Sequence, residues 1–174
     1  MNKKNILFFV AVFFAGIVFL ADNALAGSAR LNWNANTEAD LAGYKVYYDT
    51  ASHAGTCPTG YASSIEVPTS ANAGYWFDSL TPGQTYYFQV TAFDTSDNES
   101  GCSINPGEVS KVVTFRGDIN PTPDHAVDPL DFSILAAVYG QDLCGPENKA
   151  DINRDCLIDP LDFSILAAEY GSSF

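Results

Sequence analysis

The chain contains one segment twice, and this duplication constrains its fold more than any other feature. "DPLDFSILAAVYG" begins at Asp128, and "DPLDFSILAAEYG" begins at Asp159, thirty-one residues later, with one of thirteen positions changed. In both copies a proline stands where it is well placed to open a helix, and an apolar run follows it. The last part of the chain is therefore predicted to contain two equivalent units, each a polar loop followed by a short helix.

The loop before the second helix has the spacing of a calcium site. Counting Asp151 as position 1 of "DINRDCLIDPLD" places oxygen-bearing groups at positions 1, 3, 5, 7, 9 and 12, with a backbone carbonyl at position 7. A twelve-residue EF-hand loop offers ligands to Ca²⁺ from these positions. The predicted ligands are Asp151, Asn153, Asp155, Leu157, Asp159 and Asp162. The alternative is a solvated acidic turn in which Asp162 only interacts with the helix dipole.

The first loop, "DINPTPDHAVDPLD", is two residues longer and less regular. Counting back from its last aspartate gives the predicted ligands Asp118, Asn120, Asp124, Ala126, Asp128 and Asp131, of which the first two fit only if "PTP" bulges outward. Position 6, usually glycine because the backbone turns sharply there, is His125 in this loop and Cys156 in the other. We expect two Ca²⁺ sites, of which the first loop binds calcium more weakly than the second.

An aspartate at position 12, where ordinary EF-hands have glutamate, and the absence of a helix before the loop resemble the dockerin module across residues 117–174. The resemblance implies Ca²⁺ as cofactor, a cohesin-type protein domain as partner and a role in polysaccharide catabolism. It places the partner-binding surface on loop positions 10 and 11 and the following helix, in two orientations related by a half-turn. The implied contact residues are Pro129, Leu130, Ser133 and Ile134, with their copies Pro160, Leu161, Ser164 and Ile165.

The helices carry apolar residues on every side. Helical spacing predicts a core stripe, formed by Phe132, Leu135, Ala136 and Tyr139 in the first copy and by Phe163, Leu166, Ala167 and Tyr170 in the second. The remaining apolar residues predict a second, exposed face, which is typical of a protein contact. The alternative is that this second face docks on the chain's own first domain.

Residues 29–115 show short alternating strands separated by turn-rich loops, the pattern of a β-sandwich. Trp33 in "LNWN" and the spacing of "LTPGQTYYFQVTA" resemble a fibronectin type III domain, with Tyr86 as the corner tyrosine whose hydroxyl binds nearby backbone. We therefore predict a mainly β fold with a small α part, in which a fibronectin type III-like sandwich precedes a two-repeat loop–helix module. If the signal is cleaved after Ala26, the family's first strand is missing, and a free sheet edge could then accept a strand from another chain in self-assembly.

The N-terminus predicts export. Two lysines, an apolar run from Ile6 to Ala21 and small residues at Ala24 and Ala26 form a secretory signal, with an uncleaved membrane anchor as the alternative. The predicted domains are the signal peptide (1–26), the sandwich (27–115) and the dockerin-like module (117–174). The mature protein would be secreted, periplasmic or on the cell surface, without membrane insertion.

The net negative charge of the chain limits the classes of partner that it can bind. Residues 27–174 carry 6 Lys and Arg and 20 Asp and Glu. Such an acidic surface repels nucleic acid and anionic lipid and suits divalent cations. His53 and His125 are the only histidines, and no catalytic constellation can be assembled, so no enzyme activity is expected.

Four cysteines in an exported chain favour two disulfides. A short bridge from Cys144 to Cys156 would stiffen the second loop. The other pair, Cys57 and Cys102, should lie at opposite ends of a fibronectin-like sandwich, so their bridge requires the loop "SHAGTCPTGY" to fold back. The predicted function is an exported, non-catalytic attachment protein, and the alternative is a calcium-stabilised structural or cell-surface assembly subunit.

Overall fold

The computed structural model describes residues 25–69, 73–104, 107–121, 123–145 and 148–174. The predicted signal peptide lies outside these residues except for Leu25 and Ala26. In the described part the chain forms seven strands and two helices, and neither helix is long and apolar enough to cross a membrane. The elements are β1 (Gly27–Asn32), β2 (Leu41–Asp49), β3 (Ser63–Pro68), β4 (Gly74–Leu80), β5 (Thr85–Asp94), β6 (Val109–Val112), β7 (Thr114–Phe115), α1 (Pro129–Val138) and α2 (Pro160–Glu169).

The strands form two antiparallel sheets, as the alternating sequence predicted. One sheet has the order β3-β2-β5-β6 and the other has the order β4-β1-β7. Val46, Phe77 and Phe88 are buried between the sheets, where apolar side chains from both inner faces meet. The predicted sandwich with two small helices is confirmed at this level.

Two residues of the fibronectin-like pattern make the expected contacts. The indole ring of Trp33 packs edge-on against Tyr44, with ring centroids 5.1 Å apart. The backbone N–H of Thr81 donates to the hydroxyl of Tyr86 at 3.4 Å, so Tyr86 anchors the turn before its own strand. The two contacts lie toward opposite ends of the sandwich, because Trp33 is next to the start of β4 and Thr81 follows its end.

The sheet edge expected to be free is partly occupied. β7 pairs antiparallel with β1, joining Gly27 to Phe115 and Ser28 to Thr114. The chain that leaves the sandwich therefore takes the edge position that a preceding strand would fill. The prediction of a free edge for self-assembly is wrong for these two residues of β1.

Cys57 and Cys102 form a disulfide, and the expectation that their loops lie at opposite ends is wrong. After β5 the chain turns back alongside that strand, and the backbone N–H of Ser103 donates to the carbonyl of Val90 at 2.9 Å. Cys102 therefore lies beside the middle of β5 rather than at the end of the sandwich.

The loop between β2 and β3 folds back to meet it, as the bridge requires. Glu108 holds this loop, accepting from the backbone N–H of His53 at 2.6 Å and from the hydroxyl of Tyr61 at 2.6 Å. The returning loop covers the outer face of β5, where Gln89 and Thr91 are buried.

Residues 117–174, called the loop–helix segment below, contribute most of a second buried apolar cluster. It is separate from the cluster inside the sandwich. Its members are Phe115, Ile119, Val127, Leu135, Ala150, Ile152, Ile158 and Leu166. The molecule therefore has two small cores joined through β7.

Candidate functional site

The two repeats of the loop–helix segment clasp each other reciprocally. Ala126, at position 7 of the first loop, forms a β-bridge with Ser173, which follows α2. Leu157, at position 7 of the second loop, forms the equivalent bridge with Asp142, which follows α1. Each loop is thus held by the segment that follows the other repeat's helix.

The second core repeats the same symmetry. Each repeat supplies an apolar residue at loop position 2, another at position 8 and a leucine from the helix. The three pairs are Ile119 with Ile152, Val127 with Ile158, and Leu135 with Leu166. The duplication of the sequence is therefore explained first by packing, because each copy fills half of one core.

The aspartates at loop position 12 organise both loops. Asp131 and Asp162 have 0 % exposure. The Oδ1 atom of Asp162 accepts from the backbone N–H groups of Ile152 at 2.6 Å and Asn153 at 3.0 Å, and its Oδ2 accepts from Asp159 at 3.0 Å. Asp131 accepts the three equivalent bonds in the first loop.

The aspartates at loop position 9 cap the helices. Asp128 accepts from the backbone N–H of Leu130 at 2.7 Å, and Asp159 accepts from Leu161 at 2.7 Å. Together with the position-12 aspartates they form capping boxes at the start of α1 and α2. Two pairs of predicted ligands therefore also have a structural role.

The backbone at loop position 6 has the conformation that usually requires glycine. His125 has φ 65° and Cys156 has φ 76°, both in the left-handed region. This agreement supports counting the first loop back from its last aspartate despite its two extra residues. Cys144 and Cys156 form the predicted disulfide, which ties the second loop at this strained position.

The first loop keeps two buried oxygen atoms without a hydrogen-bond partner. Asp118 is 4 % exposed and Asn120 is 3 % exposed, and the Oδ1 atom of each is unpaired. Burial raises the pKa of Asp118 to about 6, and the negative charge of Asp131 adds to this effect. An unpartnered buried oxygen is costly, and a bound cation is one way to satisfy it.

The second loop is closed on itself. The two carboxylate oxygens of Asp151 accept from the backbone N–H groups of Asp155 at 3.1 Å and Cys156 at 3.0 Å. The side chain of Asn153 donates to Asp155 at 2.9 Å, and the other oxygen of Asp155 accepts from Leu157 at 2.9 Å. The loop with the more regular sequence is thus the one whose side-chain oxygens already have internal donors.

The fit of these loops to a cation is incomplete. In the described ranges no three His, Cys, Asp or Glu side chains lie together as a metal-binding group. Asp124 is exposed, and the position-12 carboxylates are engaged with backbone N–H groups. The donors of both loops are nevertheless all oxygen, and a hydrogen-bonded carboxylate oxygen retains a second lone pair. Calcium binding would require these oxygens to turn toward a common centre.

The core stripe predicted for the helices is largely wrong. Leu135 and Leu166 are buried as expected, but Phe132, Tyr139, Phe163 and Tyr170 are exposed. The other predicted stripe residues, Ala136 and Ala167, are exposed as well. The core is completed instead by Ile134, Val138 and Ile165, which are partly buried against it. The apolar loop residues at positions 2 and 8 determine which face of each helix packs against the core. The spacing of residues within a helix gives no information about these loop residues.

The exposed apolar residues of the two helices meet around a shallow groove. The rings of Phe132 and Phe163 pack edge-on with centroids 5.3 Å apart. The groove beside them has a volume of ≈ 470 Å³ and is also lined by Ala136, Tyr139 and Pro160. We call this surface the helix face and include Leu130 and Leu161, which are 53 % and 57 % exposed. Of the predicted partner-contact residues, Pro129, Leu130, Ser133, Pro160, Leu161 and Ser164 are exposed, whereas Ile134 and Ile165 are partly buried.

The one position at which the copies differ lies at the junction with the sandwich. Glu169 is buried and accepts from the backbone N–H of Gly117 at 2.6 Å, whereas its counterpart Val138 packs against the second core. Gly117 leaves little room, because a Cβ added there would lie 3.1 Å from Val127 and 3.3 Å from Glu169. The glutamate therefore ties α2 to the chain that leaves the sandwich.

The second loop also contacts the sandwich directly. Arg154 pairs with Asp78 of β4 at 2.5 Å, and its guanidinium lies 4.0 Å from the ring centroid of Trp76. Arg116 donates to the carbonyl of Ile152 at 2.9 Å. The sequence did not predict these contacts, because an arginine in a loop gives no signal of its partner. In the structure Arg154 has an unusual left-handed backbone, with φ 63°.

The comparisons with known proteins concern the sandwich. Residues 19–101 match the family model described as the fibronectin type III domain. The chain is similar to a solved "Myokine structure" at 14% identity, over 52% of this chain and 86% of that one, with a TM-score of 0.37. The FN1–FN3 domains of chicken CNTN1 are 20% identical over 51% of this chain and 26% of that one, with a TM-score of 0.39. The fn3 domain of human contactin 1 is 15% identical over 55% of this chain and 71% of that one, with a TM-score of 0.36.

No curated protein matches the chain. Fibronectin type III domains are typically non-catalytic and act in protein interaction or as spacers. The two disulfides and this fold fit an extracellular protein. The family match and the two-sheet architecture together support a fibronectin type III domain in residues 19–101.

Proposed function

We propose that the protein is an exported, non-catalytic attachment protein. The sandwich serves as a spacer or surface-binding unit. The loop–helix segment is a dockerin-like module that binds calcium and docks onto a cohesin-type domain through the helix face.

The observation that carries this proposal is the exposure of equivalent apolar side chains on both helices. Leu130, Phe132 and Tyr139 of the first repeat, and their three copies in the second, remain exposed although the segment has a complete core of its own. A soluble chain rarely keeps such a paired apolar surface unless a partner covers it. Because both helices expose equivalent residues and the two repeats clasp each other reciprocally, the same partner could engage either helix first.

Calcium is supported by the chemistry of the loops. In the first loop Asp118, Asn120, Asp124 and Asp131 would hold the ion, and the unpaired oxygens of Asp118 and Asn120 are the strongest argument for it. When bound, the ion would neutralise the clustered carboxylates and fix the loop geometry. We therefore expect the first loop to load before the second, the reverse of the order expected from the sequence, because Asn153 and Asp155 of the second loop must first separate.

A second candidate function, a structural or cell-surface assembly subunit, is favoured by the contacts of Arg154 and Glu169 with the sandwich and the adjoining chain. In that account the loop–helix segment stabilises its own sandwich and needs no partner. Binding through the helix face distinguishes the attachment protein from the assembly subunit, because the helix face takes no part in the contacts of Arg154 and Glu169.

The test is binding of the full chain to a panel of recombinant cohesin domains, measured calorimetrically with calcium and with a chelator. We expect calcium-dependent binding. We also expect a loss of at least about tenfold in affinity when Leu130→Lys and Leu161→Lys are combined, since buried leucines at an interface contribute strongly. Val112→Lys, which alters an exposed apolar residue of the sandwich, is the matched control and should bind normally.

Two results would contradict the proposal. Absence of calcium binding by the full chain would show that calcium is not a cofactor of this protein. Calcium binding without binding to any cohesin domain, or equal losses in Val112→Lys and the double variant, would leave the assembly subunit as the better account.

A further inference from the structure

A crevice of ≈ 240 Å³ lies between the sandwich and the loop–helix segment. It collects almost all the positive charge of an acidic protein. Of the six Lys and Arg residues that follow the predicted signal peptide, five line it. They are Arg30, Lys111, Arg116, Lys149 and Arg154.

Among the described residues, three of these five cations make no ion pair. Arg154 pairs with Asp78, but in the described part of the chain no carboxylate lies within salt-bridge distance of Lys111, Arg116 or Lys149. Lys149 donates to the carbonyl of Asn120 instead. Holding several cations together is unfavourable even where a few carboxylates lie nearby, and a bound anion would reduce the repulsion.

Arg116 lines the same crevice and has one donor atom without a partner. Its Nη2 atom donates to the carbonyl of Ile152 at 2.9 Å, while its buried Nε has no hydrogen-bond partner. The acidic residues in the lining, Asp118 and Asp151, belong to the two loops, and both oxygens of Asp151 are already bonded to backbone. The cations therefore outnumber the carboxylates around the crevice.

The rest of the lining is polar but uncharged. Ser28, Asn32, Thr114 and Asn148 offer hydroxyl and amide groups beside the cations, and Trp76 provides an apolar ring. The crevice is smaller than most pockets for drug-sized ligands, so it suits a compact molecule with several hydrogen-bonding groups. We propose that this crevice binds a small hydroxylated carboxylate of the sugar-acid class.

The proposal differs from calcium binding and from docking on the helix face, since it uses neither the groove nor the cohesin-type partner. An alternative role for the same cations is to attract the acidic loops to the sandwich. In that case they would bind no external anion, and the experiment below would show no saturable binding.

The experiment is a titration of the full chain, in calcium-containing buffer, with glucuronate, glucose and acetate, followed by the NMR signals of the Trp76 indole. We expect saturable shifts with glucuronate, none with glucose, and at least about tenfold weaker binding of acetate, because charge and hydroxyl groups are both recognised. Lys111→Ala should weaken glucuronate binding by about tenfold or more, as expected for loss of one charge-assisted hydrogen bond.

The matched control is Lys45→Ala, which removes the one remaining lysine or arginine and lies outside the crevice. It should leave the affinity for glucuronate unchanged. The proposal is overturned if glucuronate gives no saturable shift, if glucose or acetate binds as tightly, or if Lys45→Ala weakens binding as much as Lys111→Ala. Because both variants change exposed or half-exposed lysines of the sandwich, loss of folding would not confuse the result.

Discussion

The first repeat (residues 118–138) and the second repeat (residues 151–169) share their capping boxes, their buried position-12 aspartates and their core residues, but they have different surroundings. The first loop keeps unpaired oxygens at Asp118 and Asn120, whereas the second loop is closed by internal hydrogen bonds and by a disulfide. The second repeat contacts β4 of the sandwich through Arg154. The comparison shows that nearly identical sequences give both repeats the same helix caps and buried aspartates, whereas contacts outside each repeat make their surroundings different.

The largest expected effect is common to both repeats. Asp162→Ala leaves three buried or partly buried backbone N–H groups without an acceptor, and Asp131→Ala leaves two, because the N–H of Ile119 also donates to the carbonyl of Gly117 at 3.0 Å. Each substitution should lower the free energy of unfolding by about 3 kcal/mol or more. Thermal and denaturant unfolding would measure the loss. Asp131→Asn and Asp162→Asn, which keep one acceptor oxygen, should lose less. A much smaller loss in one repeat would break the equivalence of the two loops.

The next effect distinguishes the helices. Glu169→Val makes the two thirteen-residue copies identical and leaves the buried N–H of Gly117 without an acceptor, which should cost about 1–3 kcal/mol of unfolding free energy. Val138→Ala, at the matching position, should cost about 1 kcal/mol, because it only removes part of a half-buried side chain. Equal losses at the two sites would show that Glu169 is not the distinguishing contact.

The Glu169→Gln variant tests the same difference between the helices through the dependence of stability on pH. Burial raises the pKa of Glu169 above its ordinary value of 4.5. A raised folded-state pKa contributes stability that is fully present below the unfolded value and is lost as the pH rises through the folded value. The wild-type protein should therefore lose stability relative to Glu169→Gln as the pH rises above 4.5. A constant difference across that range would contradict the assigned cause.

The smallest expected effect concerns the contact between the second loop and the sandwich. Arg154→Ala removes a partly exposed ion pair and a cation–π contact, which together should contribute about 1 kcal/mol. Trp76 fluorescence and limited proteolysis near residue 116 would report the loosened junction. Lys45→Ala, which removes a partly exposed pair with Glu99 elsewhere on the sandwich, is the control and should leave both signals unchanged.

Much of this architecture could be predicted from sequence because its signals are local. Alternating residues such as Phe88 and Val90 predicted the sandwich, and proline after aspartate placed the start of each helix correctly. The duplicated segment also predicted two equivalent loop–helix units. The ligation of calcium remains a prediction.

The orientation of the helices could not be predicted, since apolar residues occur on every side of them. Phe132 and Val138 are both suitable for a core, and the choice between them depends on packing against Ile119 of the preceding loop and Ile152 of the other repeat. The position of β7 and the Cys57–Cys102 bridge depend likewise on contacts across long stretches of chain. Such contacts have no periodic signature.

The reciprocal clasp has a consequence for the order in which the chain can fold during synthesis. The sandwich contains all of its strands by Phe115, so it can form early. The first loop, however, is held by Ser172 and Ser173, which the ribosome adds some fifty residues later. The first loop therefore stays open until the second repeat has emerged, and neither repeat can reach its final shape alone.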